Sequence, residues 1–162
     1  MPKKSRSNPA IGPAIEMLTA LKGAGLRMTP QRYAICEALA GNTEHPTAQM
    51  LFDRLRVDHP TLSRATVYNT LHTLVEAGML LELGTAGDGV VHFDPDVSPH
   101  VHLICVNCHQ IEDLEDTALA GLSRRVAHQS GYELRTSWVA YYGLCPRCQK
   151  ASSRKPSQTK SS

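Results

Sequence analysis

Two pairs of cysteines at Cys-x-x-Cys spacing are the residues of this sequence best suited to binding a metal. They are Cys105, Cys108, Cys145 and Cys148. Four thiolates form a closed tetrahedral set for a structural zinc ion. The 36 residues between the two pairs exceed the usual zinc-ribbon spacing and leave room for a strand, a helix and another strand. Two disulfides are the alternative, and a reducing compartment disfavours them.

A second set of potential ligands consists of imidazoles and carboxylates. His100 and His102 are two residues apart, so an extended strand would place both on one face, about 7 Å apart. Nitrogen and oxygen ligands suit Fe(II), Mn(II), Zn(II) or Ni(II), with no sulfur to favour zinc. Spacing alone indicates that only this histidine pair binds a metal. For His45, Asp94 and Asp113, a role as metal ligands needs further support.

The elements that must position these residues begin with helices. A first helix is predicted from residue 14, and three more are predicted to follow the capping residues Thr29, Thr47 and Ser63. Apolar strands at 79–82 and 90–93 surround a Gly/Asp turn, which is typical of a hairpin. This order predicts a winged helix-turn-helix preceded by one extra helix. Cys36, with no ligand at helical spacing, is expected to be a core thiol.

The fourth helix carries a polar face opposite its apolar stripe. Arg64, Tyr68 and Asn69 lie on that face near the start of the helix. Arginine and asparagine pair with base edges in the major groove, so this face is a candidate reader of DNA. A merely solvated face is the alternative, and the hairpin that follows favours DNA binding. Residues 1–81 also carry nine Lys/Arg against six Asp/Glu.

The remaining chain predicts a small second domain. Strands are expected at 101–105, 111–114 and 134–142, with a helix at about 118–129. Such a domain is too small to be stable alone, so a metal, a partner subunit or both are expected. The fold class is therefore α+β. The predicted domains are a disordered N-terminus (1–13), a winged-helix domain (14–94), a metal-binding α+β dimerisation domain (95–150) and a disordered basic tail (151–162).

Composition is ordinary for a soluble globular protein, with 41% hydrophobic and 20% charged residues. No apolar run approaches the roughly 20 residues of a membrane span, and the N-terminus lacks the apolar core of a signal peptide. We therefore expect a cytoplasmic protein without membrane contact, whose cysteines are reduced.

The motifs together resemble the ferric uptake regulator (Fur) family, in order from about residue 14 to residue 150. The matching segments are residues 25–32 (GLRMTPQR), 45–48 (HPTA), 65–69 (ATVYN), 100–108 (HVHLICVNC) and 145–148 (CPRC). The resemblance implies a homodimeric, metal-dependent transcriptional repressor with a winged-helix domain and an α+β dimerisation domain. The protein is not expected to be an enzyme.

The resemblance also implies roles for individual residues. The four paired cysteines match the structural zinc site. Five residues match the regulatory Fe(II) or Mn(II) site, namely His45, Asp94, His100, His102 and Asp113. A two-fold dimer would read a near-palindromic double-stranded DNA operator through Arg64, Tyr68 and Asn69, with Arg27 and Arg32 on phosphates or in the minor groove.

Two features favour the peroxide-sensing branch of the family. Both carboxylate ligands are aspartates, Asp94 and Asp113, where iron-uptake regulators usually carry glutamate. Asn69 follows the tyrosine where those regulators usually carry arginine. This branch implies that Fe(II) and peroxide oxidise a ligand histidine, His45 or His100, which ends DNA binding.

The other histidines have no assigned ligand role. His59, His72, His92 and His128 are predicted to be structural or at the surface. His109 replaces the small residue usual after the second zinc cysteine, and it either perturbs that loop or is solvated.

Other functions are open at this point. An iron- or manganese-responsive uptake regulator without peroxide sensing would use the same ligands. A zinc-dependent hydrolase would use a metal-bound water, but the sequence has no substrate-positioning motif. A metal-buffering protein would not need the winged helix.

Overall fold

The computed structural model describes residues 11–115, 118–134 and 137–152, and their contacts divide the chain into two units. Among the described residues, the first unit comprises those up to Thr85 together with Val90–Ser98, and the second comprises Ala86–Gly89 together with those from Pro99 onwards. Helices and strands occur in both, which confirms the predicted α+β class. No helix in the described ranges is long and apolar enough to span a membrane.

The first helix, α1 (Ile11–Gly23), begins earlier than the sequence predicts. The structure therefore differs from the expected disordered N-terminus at residues 11–13, while residues 1–10 lie outside the described part. Pro13 does not oppose the earlier start, because backbone N–H groups in a first helical turn have no acceptor within the helix. Ala14 and Met17 are buried.

Three capped helices follow in the first unit: α2 (Pro30–Leu39), α3 (Ala48–Leu55) and α4 (Arg64–Glu76). Each begins with a side-chain oxygen that accepts a hydrogen bond from a backbone N–H of the first turn. The three capping residues are Thr29, Thr47 and Ser63, as predicted. Such caps satisfy N–H groups that the helix itself leaves without acceptors.

Apolar residues from all four helices form the core of this unit. The largest fully buried side chains include Leu21, Ile35, Leu39, Leu51, Val67, Leu71 and Leu74. Cys36 belongs to the same cluster and has no exposed surface, which confirms the expected core thiol. Burial raises the pKa of the Cys36 thiol to about 12.

A hairpin completes the first unit. Strand β1 (Leu81–Thr85) pairs antiparallel with β2 (Val91–Asp94). Both strands start and end later than predicted, β2 by one residue. The later end of β1 reflects pairing that continues past a register shift between Glu82 and Gly84. Gly84 has φ 71°, a left-handed conformation that glycine adopts readily, so a bulge is tolerated there. Three helices and this hairpin, preceded by α1, form the predicted winged helix.

The second unit is built on a three-stranded sheet of order β4-β3-β5. Its elements are β3 (Val101–Cys105), β4 (Ile111–Leu114), α5 (Ala118–Ser130), β5 (Val139–Gly143) and α6 (Pro146–Ser152). Strand β3 pairs antiparallel with β4 and parallel with β5. A parallel pair requires a long crossover, and α5 lies within it.

Two details of this unit differ from the prediction. The last strand begins at Val139 rather than residue 134, because β3 offers pairing partners only to the five residues of β5. Helix α6 was not expected. It includes Cys148, for which only a role as a ligand was predicted. Residues 151 and 152 of the expected disordered tail belong to this helix, and residues 153–162 lie outside the described ranges.

Candidate metal centres and DNA-binding face

The four paired cysteines come together in the second unit. Cys105 ends β3, Cys108 follows in the next turn, Cys145 follows β5, and Cys148 lies in α6. Their four Sγ atoms lie within 4.8 Å of one another. All five cysteines of the chain are free, so no disulfide joins either pair. The parallel pairing of β3 with β5 brings the two pairs to the same end of the sheet.

Backbone and side-chain donors surround this cluster. The backbone N–H of Cys145 donates to Cys105 Sγ at 3.3 Å, and the Asn107 amide donates to Cys148 Sγ at 3.1 Å. Hydrogen bonds from the N–H groups of Cys145, Cys108 and Asn107 lower the pKa of Cys105 to about 6. Donors of this kind stabilise thiolates, the form that binds a metal. Four sulfurs at this spacing fit a tetrahedral zinc ion.

The pKa of Cys148 changes in the opposite direction. The Asn107 amide lowers it, but the Cys145 thiol, burial and the other two thiols together raise it to about 11. Four adjacent thiols cannot all ionise easily without a cation, because each thiolate disfavours the next. A divalent metal removes this penalty, so the donor set is consistent with metal binding.

His109 follows this cluster and makes specific contacts within the second unit. Its backbone has φ 61°, and its N–H donates to the Cys105 carbonyl at 2.9 Å. Its Nδ1 lies 3.0 Å from the Ala86 carbonyl oxygen. A carbonyl only accepts, so Nδ1 carries the proton and donates. Of the two expectations for His109, simple solvation is therefore wrong.

In the first unit, His45 and Asp94 form a buried pair. His45 Nε2 lies 3.8 Å from Asp94 Oδ2, and the side chains are only 1% and 2% exposed. The segment before α3 lies along β2 and positions this pair. The Phe93 N–H donates to the Pro46 carbonyl at 3.1 Å, and an isolated antiparallel bridge joins Thr47 to the strand. A histidine and a carboxylate buried together are suitable metal ligands.

In the second unit, two histidines converge on one carboxylate. Asp113 Oδ1 lies 3.4 Å from His100 Nε2 and 3.9 Å from His102 Nε2. His102 on β3 is the direct cross-strand partner of Asp113 on β4. The two imidazole centroids are 4.3 Å apart, closer than an ideal strand predicts, and His100 precedes the first residue of β3. Both histidines are buried.

Two residues beside these groups were not predicted to have a role at a site: His92 was predicted only to be structural or at the surface, and Trp138 was not considered. His92 on β2 places Nδ1 2.9 Å from the His45 carbonyl oxygen. The rings of Trp138 and His102 in the second unit meet in an edge-to-face arrangement, with centroids 6.1 Å apart. His92 lies two residues before Asp94, so both side chains are on the same face of the strand. That spacing was a signal available in the sequence that His92 lies near the site. No sequence signal pointed to Trp138.

The predicted DNA-reading residues lie on one exposed face of α4. Arg64, Tyr68 and Asn69 are exposed, while the opposite face of the helix is in the core. The Arg64 guanidinium lies 5.3 Å from the centroid of the Phe52 ring, a cation–π contact that limits the orientations of the arginine.

The two additional basic residues, Arg27 and Arg32, lie near the start of α2. Arg27 is exposed and Arg32 is half-buried. The Arg32 guanidinium donates to the Arg27 carbonyl. One N–H of Arg32 is therefore already engaged, and a guanidinium has others left to donate.

Comparison with known proteins identifies the family. The sequence model of the Ferric uptake regulator family matches residues 23–142. Over 135 residues the chain is 40% identical to the Peroxide operon regulator of Bacillus subtilis (strain 168), covering 83% of this chain and 92% of that protein. The Campylobacter jejuni peroxide stress regulator superposes with a TM-score of 0.66 at 30% identity, covering 81% of this chain and 98% of that one.

A more distant structure supports the fold alone. The ferric uptake regulator of Helicobacter pylori superposes with a TM-score of 0.70 at 20% identity, covering 90% of this chain and 97% of that one. The resemblance carried by the sequence motifs is thereby confirmed, and the chain belongs to the ferric uptake regulator family.

Proposed function

We propose that this protein is a homodimeric, metal-dependent transcriptional repressor that leaves its DNA operator when peroxide oxidises a ligand histidine. The observation that carries the proposal is the separation of two ligand chemistries. Sulfur ligands form one cluster in the second unit, whereas three buried histidines and two aspartates, of which only Asp94 is buried, form separate groups in each unit. The similarity to regulators named for peroxide supports the peroxide signal over a metal signal alone.

Cys105, Cys108, Cys145 and Cys148 would hold one structural Zn(II) per chain. Their sulfurs are mutually close and hydrogen-bonded, as a permanent, closed site requires. We assign the second domain, residues 95–150, to dimerisation. Leu122 and Val126 on α5 are 38% and 40% exposed, so this helix has apolar surface that a second copy can cover.

His45, Asp94, His100, His102 and Asp113 would together hold one regulatory Fe(II) or Mn(II). The pair from residues 14–94 and the triad from residues 95–150 supply only nitrogen and oxygen, which suits these ions. Shared ligands would make the relative orientation of the two domains depend on the metal.

Oxidation of His45 or His100 would be the signal. Fe(II), when bound, supplies the redox chemistry that cleaves the O–O bond of peroxide. One peroxide oxygen is inserted into a ring C–H bond of the histidine, which loses two electrons, and the other oxygen leaves as water. The modified ring binds metal poorly, so the two domains are no longer held together and the dimer leaves DNA.

Arg64, Tyr68 and Asn69 would read base edges in the major groove, one α4 helix in each half of a near-palindromic site. Arg27 and Arg32 would contact phosphates or the minor groove. A repressor of this kind acts on DNA in the cytoplasm, which is the compartment we propose.

Two alternatives use the same residues. An iron- or manganese-responsive uptake regulator would bind the metal reversibly without histidine oxidation. A zinc-dependent hydrolase would need a substrate-binding cleft beside an open metal position. Membership of a family of transcriptional regulators favours the regulator over the enzyme.

Mass spectrometry after mild peroxide treatment tests the proposal. The zinc-loaded protein is prepared with Fe(II), with Mn(II), and as a His45→Ala variant, and operator binding is followed in parallel. We expect an oxygen adduct on His45 or His100 in the iron form alone, together with loss of DNA binding. Unmodified histidines, with DNA binding that follows only metal concentration, would favour the uptake regulator.

A further inference from the structure

His92 is a buried histidine for which the proposed function has no role. It lies on β2 two residues before Asp94, so both side chains point to the same face of the strand. His92 is 9% exposed, and its Nδ1 is 2.9 Å from the His45 carbonyl oxygen. A carbonyl oxygen accepts only, so Nδ1 carries the proton and donates. That nitrogen is therefore not available to bind a metal.

His45 needs such a contact because its backbone is in an unfavourable conformation. Its φ of 49° lies in the left-handed region, which residues other than glycine adopt only where neighbouring structure holds them. The following residues, Pro46 and Thr47, are attached to β2 by the Phe93 N–H and by the bridge to His92. The His92 side chain extends this attachment by one residue, to His45 itself.

We propose that His92 is a positioning residue for the regulatory metal site. It holds the backbone of His45 in the left-handed conformation that directs the imidazole towards Asp94. The inference rests on the proposed function, because it requires His45 to be a metal ligand. Outer-shell contacts of this kind typically change metal affinity by about 10- to 100-fold when they are removed.

The experiment compares three substitutions of His92 that differ in where a donor N–H lies. His92→Asn places its amide nitrogen close to the position of Nδ1 and keeps the hydrogen bond. His92→Gln places the amide farther along the side chain, and His92→Leu has no donor. Mn(II) affinity of the zinc-loaded dimer is measured by electron paramagnetic resonance. The melting temperature without Mn(II) and the ratio of peroxide adducts on His45 and His100 in the iron form are also measured.

We expect His92→Leu and His92→Gln to weaken Mn(II) binding about 10- to 100-fold and to lower the share of adduct on His45. His92→Asn should stay within about threefold of the unaltered protein, which a purely space-filling role would not explain. Equal affinity in all three variants, or equal weakening in all three, would overturn the inference. If His92→Leu does not fold, the comparison of His92→Asn with His92→Gln decides.

A His45→Ala variant separates this inference from the proposed function. If His45→Ala binds Mn(II) as the unaltered protein does, the proposed ligand set is wrong, and the inference fails with it. If His45→Ala loses Mn(II) binding while His92→Leu and His92→Gln retain it, only the role of His92 is wrong.

Discussion

The cysteine cluster and the histidine–aspartate groups are held in place by different kinds of structure. The cysteines lie at the end of a sheet whose strands pair directly, within one unit, and each sulfur is adjacent to the others. His45 and Asp94 belong to the first unit, whereas His100, His102 and Asp113 belong to the second. Under the proposed function, a metal bound by the cysteines would stabilise one unit, while a metal bound by the histidines and aspartates would depend on both units. The position of these residues in the chain is therefore what the proposed permanent and regulatory roles require.

Removing a zinc ligand should have the largest effect. Zinc–thiolate binding supplies roughly 10 kcal/mol or more at neutral pH, comparable with the whole stability of a domain, about 5–15 kcal/mol. Cys145→Ser should therefore unfold the second unit and abolish the dimer, which sedimentation and circular dichroism would detect. A zinc-free mutant that is still folded and dimeric would show that the cysteine cluster is not structural.

Removing a regulatory ligand should leave the fold intact. His102→Ala is expected to keep zinc and the dimer but to weaken Mn(II) binding by at least about tenfold, since loss of a mere outer-shell partner already has that effect. Metal titration and operator binding measure the change. His128→Ala, at an exposed position on α5, is the matched control. If His102→Ala released zinc as well, the two ligand sets would not be independent.

The DNA-reading face should respond more weakly and selectively. Asn69→Ala is expected to relax base preference at particular operator positions. A mismatched base pair at such a position costs about 1–3 kcal/mol of binding free energy. Arg32→Ala should weaken binding to all sequences about equally, because phosphate contacts carry no sequence information. Binding of both variants to a set of single-base operator changes tests this. An equal loss at every base for Asn69→Ala would place that residue on the phosphate backbone.

The fifth cysteine should show the smallest effect. Cys36→Ala is expected to lower the free energy of unfolding by about 1 kcal/mol, without loss of zinc. Its folded pKa of about 12 lies above the ordinary value of 9.0, so folding favours the neutral thiol. The stability that the buried neutral thiol contributes is fully present below the pKa of Cys36 in the unfolded chain. It is lost as the pH rises through the pKa of Cys36 in the folded protein.

Denaturant titrations at pH 8 and pH 10.5 measure the free energy of unfolding of both proteins. Between these two pH values, Cys36→Ala should lose less stability than the unaltered protein. Parallel losses in both proteins would contradict the assignment of Cys36 to the core.

Local signals in the sequence were enough for much of the fold. The caps at Thr29, Thr47 and Ser63 depend on the few residues that follow them, and the first two strands of the second unit were predicted with their observed bounds. The cysteine cluster could also be predicted, because Cys-x-x-Cys spacing is specific in itself. The prediction that His45, Asp94 and Asp113 are ligands beside His100 and His102 depended on family resemblance.

The remaining features depend on contacts between distant parts of the chain. The length of β5 is set by its partner β3, and local sequence does not reveal where that pairing starts. The contact of His92 with the His45 carbonyl joins residues 47 positions apart. His109 reaches Ala86 in the same way, across 23 positions. Patterns of spacing cannot find such backbone contacts, since any residue type provides a carbonyl.

The parallel pairing of β3 with β5 also determines the order in which the two units complete their folds during synthesis. The core of the first unit consists of residues up to Phe93, so its contacts are available while the rest of the chain is still being made. The second unit cannot complete its sheet or its cysteine cluster until Cys148 has left the ribosome. If the cluster binds zinc as proposed, newly made chains would bind it only after the first unit has folded, and a cell short of zinc would accumulate chains with a folded first unit and an unfinished second one.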